Sequence, residues 1–252
     1  NDNLVNPTNG QTPQSFPNAD NTDNPERDWR EIIAVVILID DITVTEGADL
    51  TFTMQLVTKN NNTIPIESAS PIAIRFSTSN GTTTTTEYDV ATSPFDYTGF
   101  SNTVFTINPF TNTAQFSVTS LEDIIYELTE LFTLTGVVTS NNTLTTQFTG
   151  IGSILDNDDP PAITMNNSRE DEGVNLTHII TLSNPCSTPI EIDINTSDNL
   201  AISPDDYTAI SQTVTIGGTI DPNNANTETS FSISSVVDNL NELDEEPLNV
   251  IG

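Results

Sequence analysis

The chain has 252 residues, with 36 acidic against 5 basic side chains and a formal net charge of -31 at pH 7. That balance excludes a nucleic-acid binder working through Lys and Arg contacts to phosphate. The length allows one large domain or two of about 100 to 130 residues, and with 35% apolar residues each can hold its own core. So many carboxylates with so few cations destabilise a compact state unless they are spread in solvent, protonated or paired with metal ions.

Residues 1–30 are rich in Asn, Pro, Asp and Thr without an apolar period and read as a linker or disordered arm, with Trp29 a local packing residue where order begins. Ile32 to Ile39 (IIAVVILI) is the best apolar run. It is far shorter than the roughly 18 residues of a membrane span and predicts a strand, so this segment is not expected to enter a membrane.

From Asp49 the apolar spacing is close to two: Leu50, Phe52, Met54 and Leu56, then Ile72, Ile74 and Phe76, then Phe116 and Val118, then Phe132, Leu134, Gly136 and Val138. Polar clusters at 58–71, 79–86, 108–113 and 139–143 separate the runs, which is the pattern of an antiparallel sandwich. The patch ELTELF at 127–132 has a helix-like Glu spacing between strand-like flanks. After ILDNDDPP (154–161) a second set begins, with Leu176, His178, Ile180 and Leu182 on one face, then Ile190, Ile192 and Ile194, then Val214 and Ile216, then Phe231 and Ile233. Two prolines restrict a short connector, so a boundary is expected at Pro160–Pro161.

The two halves repeat. Thr45-Glu46-Gly47 matches Asp171-Glu172-Gly173, Thr86-Glu87-Tyr88 is matched to Asp205-Asp206-Tyr207, and 116–134 matches 231–250 with Asp123 on Asp238, Glu127 on Glu242 and Glu130 on Glu245. The expected organisation is an arm at 1–30, a first sandwich at 31–159 and a second at 160–252, read as stopping before its last strand and so leaving a sheet edge unpaired.

The acids concentrate where a sandwich brings its loops to one end: Glu46, Glu87, Asp89, Glu122, Asp123, Glu127, Glu130, Asp156, Asp158 and Asp159. Converging carboxylates without Lys or Arg repel one another unless a cation is present. Calcium, accepting roughly six to eight oxygens at about 2.3–2.6 Å, suits flexible carboxylates and carbonyls better than magnesium, which prefers a compact octahedron and retains water. A solvated acidic surface is the alternative. Asp156-Asn157-Asp158 begins like an EF-hand loop, but the required Gly and Glu do not follow.

The Glu-Gly pairs, the acid-Tyr pairs Glu87-Tyr88 and Asp206-Tyr207, the acidic segment ending Glu-x-x-Glu and the Leu-Asp-Asn-Asp turn at 155–158 resemble Calx-beta domains. These calcium-binding sandwiches occur in sodium/calcium exchangers, integrin beta-4 and large bacterial surface proteins. The resemblance covers 39–159 and, as a truncated copy, 162–252. It implies tandem immunoglobulin-like antiparallel β-sandwiches with Ca2+ ligands at Glu46, Glu87, Glu122, Asp123, Glu127, Glu130, Asp156 and Asp158, and a carbonyl near Ile125, with Asp89 able to substitute for Glu87. In the second unit it implies Glu172, Asp206, Asp238, Glu242 and Glu245, a weaker or empty site because Val237 stands where the first unit has Glu122.

The tandem arrangement and near absence of Lys look like repeats of a large secreted or cell-surface bacterial adhesin or filament, of the gliding-bacterium type. Its partners would be neighbouring repeats, with any glycan or protein receptor engaged elsewhere; exchangers use such modules as calcium sensors. A carbohydrate- or protein-binding sandwich is the other binding class. An enzyme is not expected: Glu127 and Glu130 could form a glycosidase pair, which needs carboxylates about 5–9.5 Å apart, but the same acids recur in both copies and the clusters hold more acids than two-residue catalysis needs. His178, the only histidine, falls in the register of Phe52 and reads as a core residue. Cys186, the only cysteine, reads as an unreactive thiol in a turn, so no intrachain disulfide forms; this fits a reducing compartment and equally an extracellular protein that uses metal ions instead.

Overall fold

The computed structural model describes residues 35–59, 61–82, 87–140, 143–237 and 249–251. The expected arm, Trp29, Asp238, Glu242 and Glu245 lie outside them. The architecture is all-β, with antiparallel ladders predominating, as the period-two patterning predicts.

The run before Asp40 becomes β1 (Val35–Ile39), which pairs with β3 (Asp49–Thr58). The chain then changes sheet: β2 (Ile42–Thr45) pairs in parallel with β10 (Gln147–Leu155). Two acids hold the crossover, since Asp40 Oδ1 accepts from Thr53 N at 2.6 Å and Asp41 Oδ1 from Ile151 N at 2.7 Å. One sheet holds β1, β3, β4 (Asn61–Pro65) and β8 (Thr113–Thr119). The other holds β2, β10, β9 (Thr129–Val138), β5 (Ile72–Asn80) and β7 (Thr103–Ile107), with β6 (Tyr88–Val90) in parallel against β9. The 127–132 patch is therefore extended from Thr129 onward, and its glutamate spacing has no helical meaning. The polar cluster at 58–71 contains one short strand, β4, and the cluster at 79–86 precedes another, β6, which is three residues long.

Between the sheets Leu50, Phe52, Met54, Leu56, Ile72, Ile74, Phe76, Tyr97, Phe132 and Leu134 are almost fully buried. Tyr97 stacks on Phe132 with centroids 4.4 Å apart, and Phe52 meets Phe132 edge-on at 6.3 Å. Aromatic pairs of this kind add to the area term.

After Pro161, β11 (Ile163–Met165), β12 (Leu176–Leu182) and β15 (Glu228–Ile233) form one sheet, and β14 (Ser211–Gly217), β13 (Pro189–Ser197) and β16 (Asn249–Ile251) another. Their core is Ile180, Leu182, Cys186, Ile194, Tyr207, Ile216, Phe231 and Ile233. His178 is buried and stacked on Phe231 at 5.1 Å. Its strand is pinned as Phe52's is, with Asn166 Oδ1 accepting from Ile179 N at 2.6 Å where Asp40 accepts from Thr53 N.

The loop at Tyr126 carries the first unit against the second core. Tyr126 N donates to Pro185 O at 3.0 Å, Ser187 N donates to Tyr126 O at 3.1 Å, and Tyr126 packs against the second core. Asn184 Nδ2 also donates to Asp159 O at 2.8 Å.

Candidate metal centre

Gly47 opens the site. Its φ of +78° is a turn conformation that favours glycine, and it brings the chain over Glu122; Gly173, at +82°, lies over Val237 in the same way. Ser120 Oγ donates to Ala48 O at 2.6 Å, and Ser235 Oγ to Val174 O at 3.1 Å. Val237 thus occupies Glu122's place in three dimensions, as the alignment of 116–134 with 231–250 predicts.

One matched pair is corrected. The counterpart of Asp206-Tyr207 is Asp96-Tyr97, and Glu87-Tyr88 is not. Asp96 Oδ2 accepts from Thr92 N, as Asp206 Oδ2 accepts from Ile202 N at 2.7 Å. Tyr97 OH donates to Asn80 Oδ1 at 2.8 Å, and Tyr207 OH to Asp198 Oδ1 at 2.7 Å. Leu121 N donates to Asp96 O, and Val236 N to Asp206 O, both at 2.9 Å. The missed signal is plain in the chain: Ser93-Pro94-Phe95-Asp96-Tyr97-Thr98 against Ser203-Pro204-Asp205-Asp206-Tyr207-Thr208.

Two groups of carboxylates result. The outer group is Glu46, Asp123 and Asp158, each offering an oxygen within 4.8 Å of the others. Asp123 N donates to Glu46 Oε1 at 2.6 Å, Ile125 N to Asp123 Oδ1 at 2.7 Å, and Glu127 N to Asp156 Oδ2 at 3.1 Å. Asp156 Oδ1 also accepts from Asp158 N at 3.1 Å, and Asn157 Nδ2 reaches Glu122 at 3.3 Å. The inner group is Asp96, Glu127 and Glu130, within the same 4.8 Å limit and all buried, at 4%, 8% and 3% exposure. Alternation along β9 buries Glu130, which shares the inward face with Phe132 and Leu134.

The remaining expected ligands of the first unit are placed at the margins. Asp89 lies on β6 opposite Glu130, while Glu87 and Asp159 are exposed. In the second unit Glu172 is exposed and Asp206 half-buried, and among the described residues that unit forms no group of three acids close enough to share an ion.

Burial is the largest cause of every shift in the first-unit groups, and the charges that add to it are other carboxylates. Desolvation raises Glu46 to about 7, reinforced by Asp123, Glu122 and Asp158. It raises Glu127 to about 9, reinforced by Asp96 and Asp123, and Glu130 to about 10, reinforced by Glu127 and Asp96. Asp96 rises to about 6, and Asp123 and Asp158 are raised as well.

The residues present fit a hard cation. Asp96 Oδ1, Glu127 Oε1 and Asp158 Oδ2 are buried without a hydrogen-bond partner, and an orphaned buried carboxylate oxygen is costly unless an ion or water takes it. An all-oxygen donor set suits calcium or magnesium rather than a thiol- or imidazole-seeking metal.

No known family profile matches the chain, and no curated protein matches it. Among solved structures it is similar to CBD12 of CALX1.2 (13% identity, 85% of this chain and 79% of that one, TM-score 0.36). It is also similar to the calcium binding domain CBD12 of CALX1.1 (14%, 78% and 74%, 0.39) and to the apo-form Calx CBD1 domain (15%, 50% and 99%, 0.36).

Proposed function

We propose that the chain is a calcium-stabilised structural segment in which ions bound at the end of the first unit hold its loops together and stiffen its joint to the second. The carrying observation is the inner group: three carboxylates, each more than nine-tenths buried, two with an oxygen left without a partner. Glu46, Asp123 and Asp158 would hold an outer ion and Asp96, Glu127 and Glu130 an inner one, with Asp156 orienting the loop between them. The role is mechanical rather than catalytic, because the same loop that carries Asp123 and Glu127 carries Tyr126 into the second core. Ions that bind only the folded loop stabilise it by mass action. Such a segment suits a repeat of a large secreted or cell-surface adhesin or filament, where extracellular calcium keeps weak sites filled.

Calorimetric titration of calcium into the metal-free protein tests this reading. Two or more ions bound, with binding weakened at least about tenfold by Glu127→Gln, is the expected result. Heat indistinguishable from dilution overturns it.

A further inference from the structure

Asn80 closes β5, and Gly81 lies just beyond it. Among the described residues this is the one asparagine followed by glycine. Packing requires the glycine, because a Cβ at position 81 would run into Leu131 O, a main-chain oxygen of β9. No side chain at 81 therefore shields its amide nitrogen from the Asn80 carboxamide.

The carboxamide is held by its oxygen across a connection of 13 residues: Ser93 N donates to Asn80 Oδ1 at 3.1 Å, and Tyr97 OH donates to it at 2.8 Å. Two donors on one carbonyl oxygen draw electron density from Cγ and make it a better electrophile. Asn80 is exposed, so water reaches it. The second unit has Asp198 at the same place, where Oδ1 accepts from Ser203 N at 2.9 Å across 5 residues and from Tyr207 OH at 2.7 Å. A carboxylate therefore fits this slot with both donors kept, and a charged acceptor makes the stronger bonds.

We propose that Asn80 is a self-modification site, converted to aspartate by attack of the Gly81 amide nitrogen on Cγ. The nitrogen gives up its proton and forms the new N–Cγ bond. The Cγ–Nδ2 bond breaks, and Nδ2 takes up a proton and leaves as ammonia. Water then opens the cyclic imide. Hydrolysis at Cγ gives aspartate, whose carboxylate stays with the Ser93 and Tyr97 donors; hydrolysis at the main-chain carbonyl gives isoaspartate, with an extra methylene in the chain. Water is taken up and ammonia released, with no oxidant or reductant. The first unit thereby gains the carboxylate that the second carries by sequence. The conversion needs no metal and stands apart from the calcium reading.

Peptide mapping by mass spectrometry tests it, on the full chain incubated at pH 6 and pH 8 with and without denaturant. In the folded chain Asn80 should convert faster than every other asparagine among the described residues, and faster at pH 8 than at pH 6. Its aspartate share should exceed that in denaturant. Asn80→Asp, the product made directly, should melt within about 3 °C of the parent. An Asn80 that stays intact in the folded chain while the denatured chain converts there overturns the proposal, because the two hydrogen bonds would then protect the residue. An aspartate share no larger than in denaturant, or a larger fall in the melting temperature of Asn80→Asp, overturns the fit of product to slot and the proposal with it.

Discussion

Tyr126 and Cys186 are bridge partners in a parallel arrangement, the first from the loop that carries Asp123 and Glu127, the second from the turn between β12 and β13. Cys186 is 2% exposed, and its Sγ donates to Thr188 O at 3.2 Å. The bridge makes the thiol a reporter of the joint. Tyr126→Ala removes the packing against the second core, at a cost of about 1–3 kcal/mol, and should speed maleimide labelling of Cys186 at least about tenfold. In the parent protein calcium should slow labelling; a rate indifferent to both would separate the loop from the joint.

The inner acids predict how metal-free stability varies with pH. Their folded-state values are raised, Glu127 to about 9 and Glu130 to about 10 against an ordinary 4.5. Above pH 4.5 the unfolded chain has released these protons while the folded one still holds them, so folded stability falls as pH rises from there toward 9 and 10. The slope is on the order of a kcal/mol per pH unit for each group. Denaturation in chelator at pH 5, 7 and 9 should give decreasing midpoints, with the decline much reduced when calcium is present.

Protons held without the ion must leave when it binds. Calcium titrations at pH 7 in buffers of differing ionisation enthalpy should therefore show release of one or more protons, and affinity should rise with pH. Glu130→Gln should remove part of that release, raise metal-free stability because no buried carboxyl then has to be held protonated above its ordinary range, and lose most of the gain from calcium.

Gly47→Ala should cost about 1 kcal/mol even without metal, because a side chain is strained at φ +78°. It should also weaken calcium binding, since the new Cβ crowds the carboxylate of Glu122. Calcium affinity unaffected by this change would remove Glu122 from the account.

The strands were legible because Phe52, Met54, Leu56, Ile72, Ile74, Phe76, Phe132 and Leu134 alternate with polar residues and bury one face each. The repeat was legible at Glu46-Gly47 and Glu172-Gly173, where both glycines adopt the same turn. Asp96 was missed although the second unit repeats its surroundings almost letter for letter. The longer connection after Asn80 puts a competing acid-Tyr pair, Glu87-Tyr88, ahead of it, and equal spacing no longer points to the right partner. Strand β6 has only three residues, too few for Tyr88 and Val90 to announce an alternating pattern. Nothing local to Tyr126 announces its role, because its partner Cys186 lies 60 positions away in the other unit.

The central claim is that cations at the inner and outer groups hold the first unit together. Thermal unfolding of the full chain across a calcium titration tests it most directly. At about 100-fold excess over Kd the melting temperature should rise on the order of 10 °C, with most of the rise absent in Glu127→Gln combined with Asp156→Asn. A melting temperature that calcium leaves unchanged, or a rise that persists in that double variant, would contradict it.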